Sequence, residues 1–162
     1  MTNLKEKSNE AMQYFQFEED FVEDNVRCIP MIVRFKLDQV GIKLKLSEWS
    51  RFSEKERSLL AAAPCSDLKQ SGYYKLYLEQ LIQSRTGNLA TKLEINREPA
   101  WARLDRVEPE LQSKAREHDW FITLPQWIGL SNLQRFALLK LYRAGHESKN
   151  FGKAMKEFGL AF

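Results

Sequence analysis

Apolar residues along this chain recur mostly three and four positions apart, the period of a helix, and strict alternation is confined to short stretches. The first strong run is Met31, Val33, Phe35, Leu37 and Val40, a broad apolar surface on a helix. Pro30 suits its first turn, where a missing N–H costs nothing, and Gly41 terminates it just after Gln39. Ile42 to Leu46 alternates with period two and reads as a short strand or an extended connector. Leu46 to Phe52 forms a one-turn helix around Trp49. Ser53 and Glu56 then form a capping box that opens a helix carrying Arg57, Leu59 and Leu60 and stopping near Pro64. A longer helix follows from Asp67 to Ser84, with one apolar row at Tyr73, Leu76, Tyr77 and Leu81, a second at Tyr74, Leu78 and Ile82, and Gly87 beyond. Residues 86–100 are polar and read as a surface loop. At the other end, residues 1–12 read as a flexible polar tail, and the aromatics of Tyr14 to Val22 fit either a short strand or one helical face.

The second half repeats this grammar. A helix opens at Glu108-Pro109 and ends near His118, Trp120 to Thr123 is the connector, and Leu124 to Leu130 matches the Trp49 turn. Ser131 to Gln134 is a second capping box. At a constant offset (124 − 46 = 78), Leu46, Trp49, Ser53, Arg57 and Leu60 fall on Leu124, Trp127, Ser131, Arg135 and Leu138. The shared order of elements supports a duplication, with halves at about 26–85 and 105–162 inside one helical domain over 13–162. A last helix around Asn150 to Phe158 is closed by Gly159. The expected fold is an all-α domain of two similar helical halves. The alternative is α+β with a minimal two-stranded element made from Ile42–Leu46 and Trp120–Thr123. Pro30, Trp49, Ser53, Arg57, Trp127, Ser131 and Arg135 are the expected structural anchors.

Composition narrows the class. The 162 residues are 43% hydrophobic and 29% charged, which suits an ordinary globular chain. No apolar run approaches a membrane span, and the first residues carry no hydrophobic segment of the signal-peptide kind, so we expect a cytoplasmic protein with no membrane partner. A net charge of +3 is too small to argue for nucleic acid. Its distribution is uneven: residues 1–26 carry two cations against seven anions, and residues 135–162 carry six against two. The two ends pack together or steer charged partners.

Reactive constellations are scarce. Cys28 and Cys65 are too few and too far apart for a zinc or iron–sulfur site. His118 and His146 have no second ligand at useful spacing, so no metal is expected. The chain lacks H-E-x-x-H, G-x-S-x-G, P-loop and G-x-G-x-x-G motifs, and no catalytic residue is assigned. Cys28, near a helix start and beside Arg27, has two readings: a stabilised thiolate, or core packed among Val26, Ile29 and Met31. Arg27, Arg34, Lys36 and Asp38 make either a binding edge for a carboxylate or phosphate, or a solvated rim on a buried helix. Arg34 and Asp38 stand four apart and can pair on the helix. The capped helices invite a helix-turn-helix reading, but Ser53–Ala63 mixes Glu54 and Glu56 with its cations, and Leu133–Tyr142 is too apolar for a groove.

Two runs, FQFEEDFVEDNVRCIPMIVRFKLDQVGIKLKLSEW and WIGLSNLQRFALLKL, resemble the nitrate reductase-associated protein family of cyanobacteria. The likeness spans about residues 14–65 and 120–160, and its most specific core is R-C-I-P-M-x-V-R-x-K-L-D-x-x-G-I-K-L. The resemblance implies a role in nitrate assimilation, beside nitrate reductase and molybdopterin cofactor synthesis, as an accessory factor for active nitrate reductase. It carries no catalytic residues to transfer. It implies nitrate reductase as protein partner and, as a cofactor, only a transient molybdopterin-type group. Three readings follow: binding of the apoenzyme during molybdenum cofactor insertion, thiol or cofactor handling through Cys28, and a helical DNA-binding regulator.

Overall fold

The computed structural model describes residues 14–18, 28–143 and 148–162. The 1–12 tail, Arg27, His146 and most of the acidic stretch 1–26 lie outside these residues. Among the described residues the chain is mostly helical: eight α-helices, two 3-10 turns and one two-stranded antiparallel pair. It divides between Asn96 and Arg97 into two compact units.

The first unit begins with a 3-10 turn, Gln16–Glu18, where Phe15 and Phe17 stack at 5.3 Å. The aromatics are thus neither strand nor α-helical face in this stretch. Helix α1 runs Met31–Val40, with Pro30 as its N-cap rather than within its first turn. Gly41 ends it at φ +72°, where a Cβ would also meet the Leu93 carbonyl at 2.8 Å, so both conformation and space call for glycine. Ile42–Lys43 (β1) pairs antiparallel with Thr91–Lys92 (β2), in the register Ile42↔Lys92 and Lys43↔Thr91. The partner is therefore not Trp120–Thr123, which is extended chain without strand assignment, but a segment read as polar loop. Polar composition hid it because the strand is two residues long and half-exposed.

Helices α2 (Leu46–Trp49), α3 (Glu54–Ala62) and α4 (Leu68–Thr86) complete this unit. Helix α1 packs on α3 and α4, and α2 packs on α4. Asp67 caps α4 by accepting from the Gln70 N–H at 2.8 Å. Of the two apolar rows on α4, Tyr74, Leu78, Leu81 and Ile82 are buried, while Tyr73 and Leu76 are exposed.

The second unit holds a 3-10 turn Ala100–Ala102, then α5 (Pro109–Arg116), α6 (Leu124–Gly129), α7 (Asn132–Leu141) and α8 (Ser148–Glu157). The same local device is built in each unit at the offset of 78. Glu48 accepts from the Lys45 N–H and Gln126 from the Thr123 N–H, both at 2.9 Å. Ser53 with Glu56, and Ser131 with Gln134, form reciprocal capping boxes. Trp49 and Trp127 are both fully buried. Gly41 has its counterpart in Asp119, which adopts φ +59°. An aspartate tolerates this region better than most residues.

An arginine closes each corner. Arg57 donates from Nε to the Trp49 carbonyl (3.1 Å) and from Nη2 to Ser50 (2.9 Å), its guanidinium 5.9 Å from the Trp49 ring. Arg135 is deeper and busier. It donates to the carbonyls of Trp101 (2.7 Å), Trp127 (3.3 Å) and Leu130 and to Asn132 Oδ1, again 5.9 Å from its tryptophan ring. Short helices leave their last carbonyls without intrahelical partners, and a five-donor side chain supplies them. Arg135→Met is expected to lower unfolding free energy by about 3 kcal/mol, because several interior acceptors lose their donor, and Arg57→Met by about 1 kcal/mol. Urea denaturation followed by circular dichroism checks the ranking, and equal losses would contradict it.

Candidate functional site

The charged stretch around α1 divides by direction once the chain is folded. Pro30 ends the extended approach to the helix, so Cys28 lies two residues outside it, half-buried and with a free thiol. The helix start itself is served by another group. The Glu18 carboxylate, only 1% exposed, accepts from the Met31 N–H at 2.8 Å and from the Phe15 N–H at 3.3 Å. A carboxylate at a helix N-terminus satisfies an orphan donor and complements the dipole. The position that would stabilise a thiolate is thus held by Glu18, thirteen residues away in sequence. The nearby Tyr14 phenol is pushed up, first by burial and then by the Glu18 charge.

Arg34 donates from Nε to the Ile29 carbonyl at 3.1 Å, tying the helix back onto its own approach. Asp38 is partly exposed on the same helix. Lys36 is not on a solvated rim. It is 3% exposed, and its Nζ donates to the carbonyls of Ala61 and Ala63, each at 2.6 Å. Those carbonyls end α3, where a cation also meets the negative end of the helix dipole. The correction has a simple cause: on a helix buried along most of its girth, the lysine stem packs as an apolar chain and only the ammonium needs partners.

The Lys36 ammonium lies 5.8 Å from the centre of the Tyr74 ring, and Tyr74 donates to the Leu60 carbonyl at 2.8 Å. Cys65 completes this interior group, its Sγ 3.5 Å from Ser71 Oγ. Burial pushes the Lys36 amine down from 10.5 to about 8, against a smaller opposing effect of Cys65. Burial pushes the Cys65 thiol up, with the Ser71 hydrogen bond and Lys36 pulling the other way. Burial likewise raises the Tyr74 phenol, followed by the influence of Cys65. A thiol held protonated in the interior is a poor nucleophile. The grouping of Lys36 with Cys65, Ser71 and Tyr74, and the role of Glu18, were not visible in sequence; only the acidic run around Glu18 and the apolar setting of Lys36 hinted at them.

The fold and this geometry stand beside one comparison. Residues 14–158 match the conserved nitrate reductase-associated protein family. The chain belongs to that family. No curated protein and no solved structure matches it. The match spans both units, so the two similar corners, the Glu18-capped helix and the buried Lys36 are features of a nitrate reductase-associated protein rather than of an appended segment. Among the described residues no group of three or more His, Cys, Asp or Glu side chains is placed to hold a metal ion, and no helix is long and apolar enough to cross a membrane.

A phosphate-bearing pterin cofactor fits the described part of the RCIPMIVRFKLD stretch poorly. Lys36 spends its ammonium on two interior carbonyls, and Arg34 turns its Nε to the backbone. Lys36 instead predicts a structural pH dependence. Its folded value lies below the unfolded one, so folding favours the neutral amine. Its contribution is therefore present in full above pH 10.5 and is lost as pH falls through about 8. Wild type should gain stability over Lys36→Met as pH rises across that window, and a constant difference would contradict the reading.

Proposed function

We propose that this protein is a non-catalytic accessory factor for nitrate reductase in nitrate assimilation, and that it binds the apoenzyme while molybdenum cofactor is inserted. The observation that carries the reading is membership of the nitrate reductase-associated family over residues 14–158. The interior chemistry supports it. The charged side chains singled out around α1 and in the two corners largely serve backbone carbonyls and helix ends, which is the work of a scaffold. A scaffold acts through its surface, by holding a partner in one conformation more tightly than in another. For insertion of a buried cofactor, the conformation to hold is the open, cofactor-free one.

Purified protein should retain nitrate reductase apoenzyme in a pull-down more strongly than cofactor-loaded enzyme. Equal retention of both forms would remove the insertion role, and retention of neither would remove the association. The thiol alternative makes a separate demand. Cys28→Ser is expected to support full nitrate reductase activity in cells that depend on this protein, since the helix end near Cys28 is already occupied by Glu18; loss of activity would restore the thiol reading.

A further inference from the structure

The turn that joins α3 to α4 is fastened to its surroundings by side chains rather than by a backbone ladder. Helix α3 stops at Ala62, Ala63 is extended (φ −62°, ψ 133°), and Pro64 brings no N–H to the turn. Lys36 reaches across from α1 and serves the carbonyls of Ala61 and Ala63, one on each side of the helix end. Tyr74, from α4, serves the Leu60 carbonyl just before them. Cys65 follows, 6% exposed although Pro64 and Ser66 on either side of it are exposed. Its partner is Ser71 in the first turn of α4, whose Oγ stands 3.5 Å from both the Cys65 Sγ and the Cys65 carbonyl. Bonds of that length are weak.

A turn held in this way can open while the helices around it stay folded. Of its ties, Lys36 titrates closest to neutral pH. From the elements packed against α1, the titratable groups that face the ammonium are Tyr74 on α4 and Cys65 after α3. Burial pushes both of these up, so both are uncharged at neutral pH. A neutral amine keeps two N–H groups, one for each carbonyl. The ammonium carries in addition a charge that the interior solvates poorly.

We propose that the α3–α4 turn is a proton-controlled latch: proton uptake at Lys36 loosens its hold on Ala61 and Ala63, the turn opens locally, and the Cys65 thiol comes to solvent. Helices α1 and α4 stay folded in the open form. The direction follows from linkage. The amine titrates at about 8 in the closed form and at 10.5 once it reaches water, so the open form binds the proton more tightly. The open population therefore falls about tenfold between pH 7 and about pH 9. What the latch gates is thiol chemistry. Closed, Cys65 is covered and held protonated; open, it reacts as an ordinary thiol.

Amide hydrogen exchange of the full chain, corrected for the intrinsic pH dependence of exchange, reads the opening. The Ala63 N–H, bonded to the Leu59 carbonyl at 2.8 Å, reports the turn, and the N–H of the fully buried Leu78 in α4 reports global unfolding. Ala63 protection is expected to rise about tenfold from pH 7 to about pH 9 and to stay below that of Leu78 throughout. Alkylation of Cys65 in a Cys28→Ser background, expressed relative to a small free thiol at each pH, should slow by the same factor. Lys36→Met should remove the pH dependence of both readouts. Lys36→Arg, which stays charged throughout, should remove it too and decides the matter if the methionine variant does not fold. One shared protection factor for Ala63 and Leu78 would make the opening global and overturn the latch. So would wild-type protection that stays flat across this window, or a slope that persists in the Lys36 variants.

Discussion

A buried carbonyl must be given a donor, and in this protein long cationic side chains reach back to supply one. Arg57 and Arg135 each turn from the first turns of a helix onto the carbonyls of the tryptophan turn before it. Lys36 does the same from a different helix, crossing to the end of α3. Each unit is made of short helices, and short helices have many ends in proportion to their length, each with unpaired backbone groups. Without these donors the corners would expose or bury unsatisfied carbonyls, and the tryptophans packed beneath the guanidiniums would lose their lid.

The two corners obey the same rule to different depths. Arg57 is half-buried and Arg135 is 5% exposed, with burial pulling its guanidinium down from the ordinary arginine value. The difference follows from the 3-10 turn at Ala100–Ala102, which the second unit lays over its corner and whose Trp101 carbonyl accepts from Arg135. The Trp127 indole, donating to the Arg103 carbonyl at 2.8 Å, fastens the same strap. The first unit answers instead with a long α4 and a bidentate Arg85–Glu56 pair on its exposed side, a weaker tie because solvent screens it.

This division of labour bears on function. Where cations are spent on backbone, they are unavailable to a partner, so a run such as RCIPMIVRFKLD can be highly distinctive without being a contact surface.

Helix starts, helix stops and the repeated corner were legible from residue order alone, because capping boxes, Pro30, Gly41 and Gly87 act within about five residues of one another. The mostly helical class followed from the same local period. Four features were not legible: the Glu18 carboxylate at the start of α1, the Thr91–Lys92 partner of β1, the inward turn of Lys36, and the choice of Tyr74 over Tyr73 for the core face of α4. Each depends on a group thirteen or more residues away, or on which side of an element the rest of the chain comes to lie. Periodicity names the faces of a helix but cannot say which one another helix will cover, and charge on a side chain does not reveal whether its partner is solvent or a carbonyl brought near by the fold.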